Sequence, residues 1–346
     1  MTTGQDEHGG RGTSDSRGTP DSRGTPLPAA DEAHDVVTIG ETLAAFVGPP
    51  AGPLRPGGAA TFRLAGAESN VAIAASRLGH RVAYFSRVGD DDIGRLILAT
   101  LRGEGVDVRG LQLDPEAATS LLVRQHRTSD LVTVSYYRRG GAGSRLRPED
   151  VDADVVERSR LLHVTGITPA LSDTACAAVQ HAVSVASAAG VTVSLDINHR
   201  SRLWSRETAG RTLRALLPSV DVLFGDDDEL GIVQSGETPE SRAEELHRSG
   251  VGQVVLKRGS LGASAWEAGE RADQRAVEVS MVDPVGAGDA FVAGYLSALL
   301  DGATVEERLQ RAVVCGAFAV SVHGDWEGTP RRDELGLLGL AEQVRR

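Results

Sequence analysis

The chain predicts an α/β protein: a three-layer α/β sandwich, with one mostly parallel sheet covered by helices on both faces, and a small β lobe outside that sheet. Three observations carry this. Strand-like and helical runs alternate from residue 35 onward. Many of the strand runs, among them DVVTIG, RLLHVTG and VDVLFGD, are predominantly apolar, as suits strands buried on both faces. Two other runs, TSLLVRQHR and LVTVSYYRR, alternate apolar and polar residues, the period of strands with one wet face.

The elements follow in order. Residues 1–33 hold an imperfect hexad repeat, RGTSDS, RGTPDS and RGTP from Arg11, Arg17 and Arg23. That composition buries too little apolar area to offset ordering entropy, so a disordered tail is expected, with one folded unit over 34–346. Strands DVVTIG, ETLAAFV and ATFRLAG come next. The helix SNVAIAASRLG is expected to have Ser69 or Asn70 near its N-cap and Gly79 at its C-cap. Strand RVAYFSRVG, helix DDIGRLILATLRGEG and strand VDVRGLQL lead to the alternating pair, read as a hairpin turning at Thr128–Asp130. The strands of the small lobe therefore fall within about 41–65 and 119–138. Helices are expected at 172–189, 206–216, 227–234 and 238–248, between strands RLLHVTG, VTVSLDIN, VDVLFGD and VGQVVLKRG. ASAWEAG and RAVEVS read as a second hairpin, and helices 287–300, 304–322 and 334–344 end the chain.

Bulk properties narrow the partners. Lys and Arg total 36 against 48 Asp and Glu, a net charge of −12 that disfavours nucleic acid and anionic membranes. Two cysteines, Cys176 and Cys315, in Ala-rich helical stretches make no disulfide framework and suit a reducing cytosol. No run reaches the 18 or so apolar residues of a membrane span, and the start has no apolar signal core. A cytoplasmic protein is expected.

The chemistry concentrates in Val282-Asp283-Pro284-Val285-Gly286-Ala287-Gly288-Asp289-Ala290-Phe291, directly before the helix FVAGYLSALL. The small residues Gly286, Ala287 and Gly288 leave helix N-terminal N–H groups open to an anion, and Asp289 stands on the first turn beside them. A carboxylate there suits a general base for a hydroxyl attacking phosphorus. No Gly-Lys-Ser/Thr follows, and positions 286, 288 and 291 read Gly, Gly, Phe, so neither a Walker loop nor a dinucleotide fingerprint fits. Arg138 ends one alternating strand and Arg200 follows another strand's carboxyl end. Guanidinium groups there suit a carboxylate-bearing substrate. Tyr136 shares a strand face with Arg138.

Asp-Pro-Val-Gly-Ala-Gly-Asp-Ala-Phe resembles the C-terminal signature of the ribokinase/PfkB carbohydrate kinases. Ala65-Gly66-Ala67-Glu68-Ser69-Asn70-Val71-Ala72 resembles their N-terminal glycine motif. The resemblance covers roughly residues 35–345. Within the family the 2-keto-3-deoxygluconate kinases are the nearest likeness, through TIGETLAAFV, SYYRRGGAGS, HVTGITPALS, VSLDINHRSRLWS, VVLKRGSLGA and SVHGDWEGTP.

The resemblance implies a ribokinase-like fold, with the small lobe as a β-sheet lid, and phosphorylation of a sugar-acid hydroxyl by ATP with Mg2+. It implies that Asp289 is the base, that Gly286, Ala287 and Gly288 form the anion hole, and that Gly66, Asn70, Tyr136, Arg138 and Arg200 contact the sugar. Asp226, Lys257, Gly259, Gly262, Gly286, Gly288 and Gly316 would border ATP, with the Gly324-Asp325 turn near adenine. Glu229 would reach Mg2+ through water. Three departures stand out. Leu122 replaces a lid tyrosine, His199 a tyrosine, and Asp226 an Asn or Ser, which adds negative charge near the phosphates. The rival within the class is a kinase for a neutral ketose such as fructose, and the rival outside it a non-catalytic sugar- or nucleotide-binding sensor. A homodimer through the lid strands is a further expectation.

Overall fold

The computed structural model describes residues 33–49, 52–128 and 131–338. The chain runs β1 (Val36–Ile39), β2 (Leu43–Val47), β3 (Thr61–Ala65), α1 (Ala67–Arg77), β4 (Val82–Gly89), α2 (Asp92–Gly103), β5 (Leu111–Asp114), β6 (Leu121–His126) and β7 (Val132–Tyr137). It continues α3 (Ala153–Glu157), β8 (Leu161–Thr165), α4 (Asp173–Ala188), β9 (Thr192–Asp196), α5 (Arg206–Leu216), β10 (Val222–Gly225), α6 (Asp227–Val233), α7 (Pro239–Arg248) and β11 (Gln253–Lys257). Strands β12 (Ala263–Glu267) and β13 (Glu270–Gln274) precede α8 (Ala287–Leu300) and α9 (Val305–Val320). The predicted tail lies outside the described residues, apart from Ala33, as does most of the hairpin turn at 128–130.

The main sheet has nine strands in the order β13-β12-β11-β10-β9-β8-β1-β4-β5. Every pairing from β5 to β11 is parallel, and β12 and β13 add antiparallel. Successive residues of one strand serve opposite faces. Val37 and Ile39 join the cluster under α3–α7, while Val36 joins the cluster under α1, α2, α8 and α9. That two-sided burial is why these strands read as predominantly apolar runs.

The lid is a separate four-stranded sheet, order β3-β2-β6-β7. Its own apolar cluster is small: Leu43, Ala45, Ala65 and Leu122. Leu122 therefore earns its place as packing, which is why an apolar residue stands where a hydroxyl donor was expected.

Three boundaries differ from expectation. Helix α1 begins at Ala67, with Gly66 as N-cap; its φ of 153° is open to glycine, and Ser69 Oγ donates to the Gly66 carbonyl instead of capping. Asn70 thus sits inside the first turn. The second hairpin pairs β12 with Glu270–Gln274, not with RAVEVS. Ala268 and Gly269 both take positive φ, 52° and 83°, which makes a tight two-residue turn where the sequence lacks the usual Asn-Gly signal. The expected helix 334–344 is absent over its described part: a 3-10 turn spans Arg332–Glu334 and no α-helix follows to 338.

Candidate active site

In a parallel sheet the strand carboxyl ends open onto one edge, and side chains there face the ligand crevice. Glu41 follows β1, Ile167 follows β8, Asp196 and Asn198 end β9, Asp226 follows β10, and Lys257 ends β11. All line a single cleft of about 650 Å³. The lid forms its other wall. Alternation along β6 and β7 aims Leu122, Arg124 and His126, with Val132, Val134, Tyr136 and Arg138, into the same space. A second cavity of about 660 Å³ adjoins it, lined by Gly259, Gly262, Val277, Phe291, Val313 and Gly316 among others. Lys257, Gly259, Pro284 and Gly288 border both.

Asp289 lies at the meeting point. Gly286, at φ 76°, turns the chain into α8, and a Cβ there would lie 1.6 Å from the Asp325 carbonyl oxygen. Residues 287–289 then form a first helical turn whose N–H groups lack intrahelical acceptors. Gly288 has no atom within 4 Å of a would-be Cβ, so its backbone faces open space. Asn70 Nδ2 donates to Asp289 Oδ2 at 2.7 Å. Desolvation pushes the Asp289 carboxyl up to about 7. The Asn70 bond, Arg200 and Lys257 oppose that rise, and the Asp196 charge adds to it.

Beside it lies a cluster in which the sequence reading names Lys257 and Glu229 but not Asp196. Lys257 Nζ donates to both Asp196 oxygens, at 2.7 and 2.8 Å, and lies 3.7 Å from Glu229 Oε2. Burial alone would depress Lys257, but Asp196, Glu229 and Asp289 together outweigh it and hold the ammonium above its ordinary value. Burial also pushes Asp196 up to about 6, against the pull of Lys257. Lys257 is the one lysine among the chain's 36 Lys and Arg residues, a signal that was available in the sequence.

The remaining expected residues divide. Gly66 and Asn70 face the cleft, and Tyr136 packs its ring 5.4 Å from the Arg138 guanidinium. Arg200 is exposed and makes no ion pair among the described residues; its one hydrogen bond is a long one, 3.4 Å, to the His199 carbonyl. Arg138 is not free in the same way: it pairs with the buried Glu41, whose other oxygen accepts from Ser120 Oγ at 2.6 Å. Gly259, Gly262 and Gly316, expected beside ATP, line the second cavity. Asp226 caps α6 in a reciprocal box with Glu229, and Glu229 also accepts from the His199 N–H at 3.0 Å. His199 itself bonds the Trp204 carbonyl, a packing role.

The Gly324-Asp325 turn is a correction. Asp325 lines the first cleft rather than the second cavity, because Arg124 of β6 holds its carboxylate at 2.9 Å. Glu68, fully buried, also faces the first cleft; it accepts from Thr165 and Thr168, and burial raises its carboxyl.

Comparison with known proteins decides the family. The chain matches the pfkB family carbohydrate kinase profile over residues 33–332. The chain belongs to the pfkB family of carbohydrate kinases. It is 39% identical to a 2-dehydro-3-deoxygluconokinase of Thermoproteus tenax, over 87% of this chain and 93% of that one. It is 35% identical to a 2-dehydro-3-deoxygalactonokinase of Haloferax volcanii, over 84% and 92%. Among solved structures, an E. coli chain provisionally assigned as ribokinase II, in complex with ATP and Mg2+, matches at TM-score 0.82 and 27% identity, over 89% of this chain and 99% of that one. The protein is therefore a sugar kinase with the ribokinase-like fold. No described helix is long and apolar enough to cross a membrane.

Proposed function

We propose that this kinase transfers the γ-phosphoryl group of ATP to a hydroxyl of a 2-keto-3-deoxy sugar acid. One observation carries the reading: a carboxyl raised to about 7, Asp289, stands where a polar cleft with arginine-bearing walls meets an apolar cavity beside bare helix N–H groups. The names of the two relatives support the acid substrate.

In this reading Asp289 accepts the hydroxyl proton as that oxygen attacks phosphorus, and the bond to the ADP oxygen breaks in line. The Gly286–Gly288 backbone stabilises the charge spread over the transferring oxygens. Asn70 fixes the base through its Oδ2. Arg200 is the first partner for the substrate carboxylate. Arg138, already shared with Glu41, is the second, stacked on Tyr136. Gly66 gives the sugar a close approach to backbone. The Val- and Phe-lined cavity with Gly259, Gly262 and Gly316 suits a flat adenine.

Mg2+ fits as a companion of the nucleotide rather than a resident of the protein. The described residues hold no group of three or more acids, cysteines or histidines positioned for it. Glu229, with Asp226 beside it, would hold its waters, and the ion would neutralise phosphate charge. Both cysteines are free thiols, which supports a reducing, cytoplasmic setting. The exposed Tyr137 on the edge strand β7 supports a homodimer through the lid.

The test is a panel assay of ATP turnover with 2-keto-3-deoxygluconate, 2-keto-3-deoxygalactonate and fructose. A kcat/KM at least ~10-fold higher for an acid is expected, since a charge-assisted pair is worth about 1.5–3 kcal/mol. Preference for fructose would overturn the acid assignment.

A further inference from the structure

Arg124 belongs to neither the base nor the proposed carboxylate site, yet it is buried, 4% exposed, at the seam between lid and core. Its Nη1 donates to Asp283 Oδ2 at 3.1 Å and its Nη2 to Asp325 Oδ1 at 2.9 Å. These two acids organise the loops on either side of Gly286. Asp283 Oδ1 accepts from the Val285 N–H at 3.2 Å, and its Oδ2 from the Gly324 N–H at 3.3 Å. The Asp325 carbonyl oxygen presses on Gly286 so closely that no side chain fits. A second lid strand grips the same turn: Arg63 of β3 donates to Glu327 Oε1 at 2.6 Å. Two strands of the lid thus hold one turn, and that turn abuts the residue that starts α8.

We infer that Arg124 is a positioning residue for phosphoryl transfer: carried on a lid strand, it spans Asp283 and Asp325 and sets the shape of the Gly286–Gly288 backbone when the lid covers the cleft. The inference rests on the proposed role of that backbone as the anion hole. The physical reason is geometric. A planar guanidinium reaches two carboxylates in a fixed relation, so displacing β6 releases both loops at once. Burial raises the Asp325 carboxyl to about 6 against the pull of Arg124, in keeping with a pair that depends on its partner. Sugar bound against the same lid wall would then favour the arrangement in which the anion hole is complete, and water alone would not.

The readout is the factor by which saturating sugar acid stimulates ATP turnover over the rate without it. A variant that merely lowers the folded fraction scales both rates and leaves the factor unchanged. Arg124→Gln is expected to cut the factor at least ~10-fold with the sugar KM within ~3-fold of wild type. Arg124→Lys, whose single ammonium reaches one carboxylate, restores the melting temperature but leaves the factor at least ~3-fold low. Should Arg124→Gln not fold, Arg63→Gln is expected to lower the factor several-fold through the same turn. A factor within twofold of wild type in Arg124→Lys, or in Arg63→Gln where Arg124→Gln does not fold, overturns the inference. Asp289→Asn, assayed alongside, separates it from the site reading. Retained turnover there overturns both, whereas lost turnover there with an unchanged factor in the arginine variants overturns this inference alone.

Discussion

The two walls of the cleft solve opposite problems with the same chemistry. On the sheet side, Lys257 joins Asp196 at the ends of β11 and β9, two strands sealed between helical layers. On the lid side, Arg138 joins Glu41 across the gap between β7 and the end of β1. The first pair is locked by the core and sits beside Asp289. The second ties a thin sheet, with only four fully buried apolar residues in its cluster, to that core. The contrast is one of anchorage: the pair beside Asp289 is held by the packed core, and the pair at the lid by one thin sheet.

Substitutions on each wall sharpen or break that division. The largest effect is expected from Asp289→Asn, a fall in kcat of ~10³-fold, within the range a positioned base supplies. Stability should move the other way. A carboxyl raised in the folded state is stabilising while protonated, and that contribution is lost as pH rises through about 7. The Asn variant is therefore expected to melt higher than wild type at pH 8, with the gain shrinking toward pH 4. A lower melting temperature at pH 8 breaks the account of the sheet wall.

Next come the two glycines. Gly288→Ala places a methyl in open space, so the fold is kept while phosphate is obstructed; a ~10²-fold fall in kcat/KM for ATP with an unchanged melting temperature is expected. Gly286→Ala drives a Cβ into the Asp325 carbonyl at positive φ and should lose stability and activity together. Equal stability losses would contradict this. In the loop after β9, Arg200→Ala is expected to raise the sugar-acid KM ~10-fold or more while the KM for fructose moves less than ~3-fold. Equal changes for both sugars would remove the carboxylate role.

Much of this was legible in the sequence because the patterns were local. Parallel strands announced themselves as apolar runs, the lid by alternation, and the Gly286–Asp289 corner by small residues ahead of a helix. What stayed hidden depends on contacts far apart in the chain. Arg124 meets Asp283 and Asp325 across 159 and 201 residues, and no periodicity marks such a meeting. Asp196 looked like one more strand residue until Lys257 arrived from 61 positions away. The start of α1 was misplaced because Ser69 and Asn70 have capping chemistry, yet Gly66 alone tolerates the turn that its place requires. The β12–β13 register was missed because Ala268 adopts a left-handed conformation that alanine seldom takes.

The most direct test is the pH dependence of kcat/KM for the sugar acid, in wild type and in Asp196→Asn. The base acts ionised, so activity falls with unit slope below its pKa. With Asp289 raised to about 7 partly by the Asp196 charge, the wild-type acid limb is expected near neutrality, and removing that charge should move it to lower pH. An acid limb below pH 5 in wild type, or one that Asp196→Asn leaves in place, would contradict the assignment of Asp289 as the base.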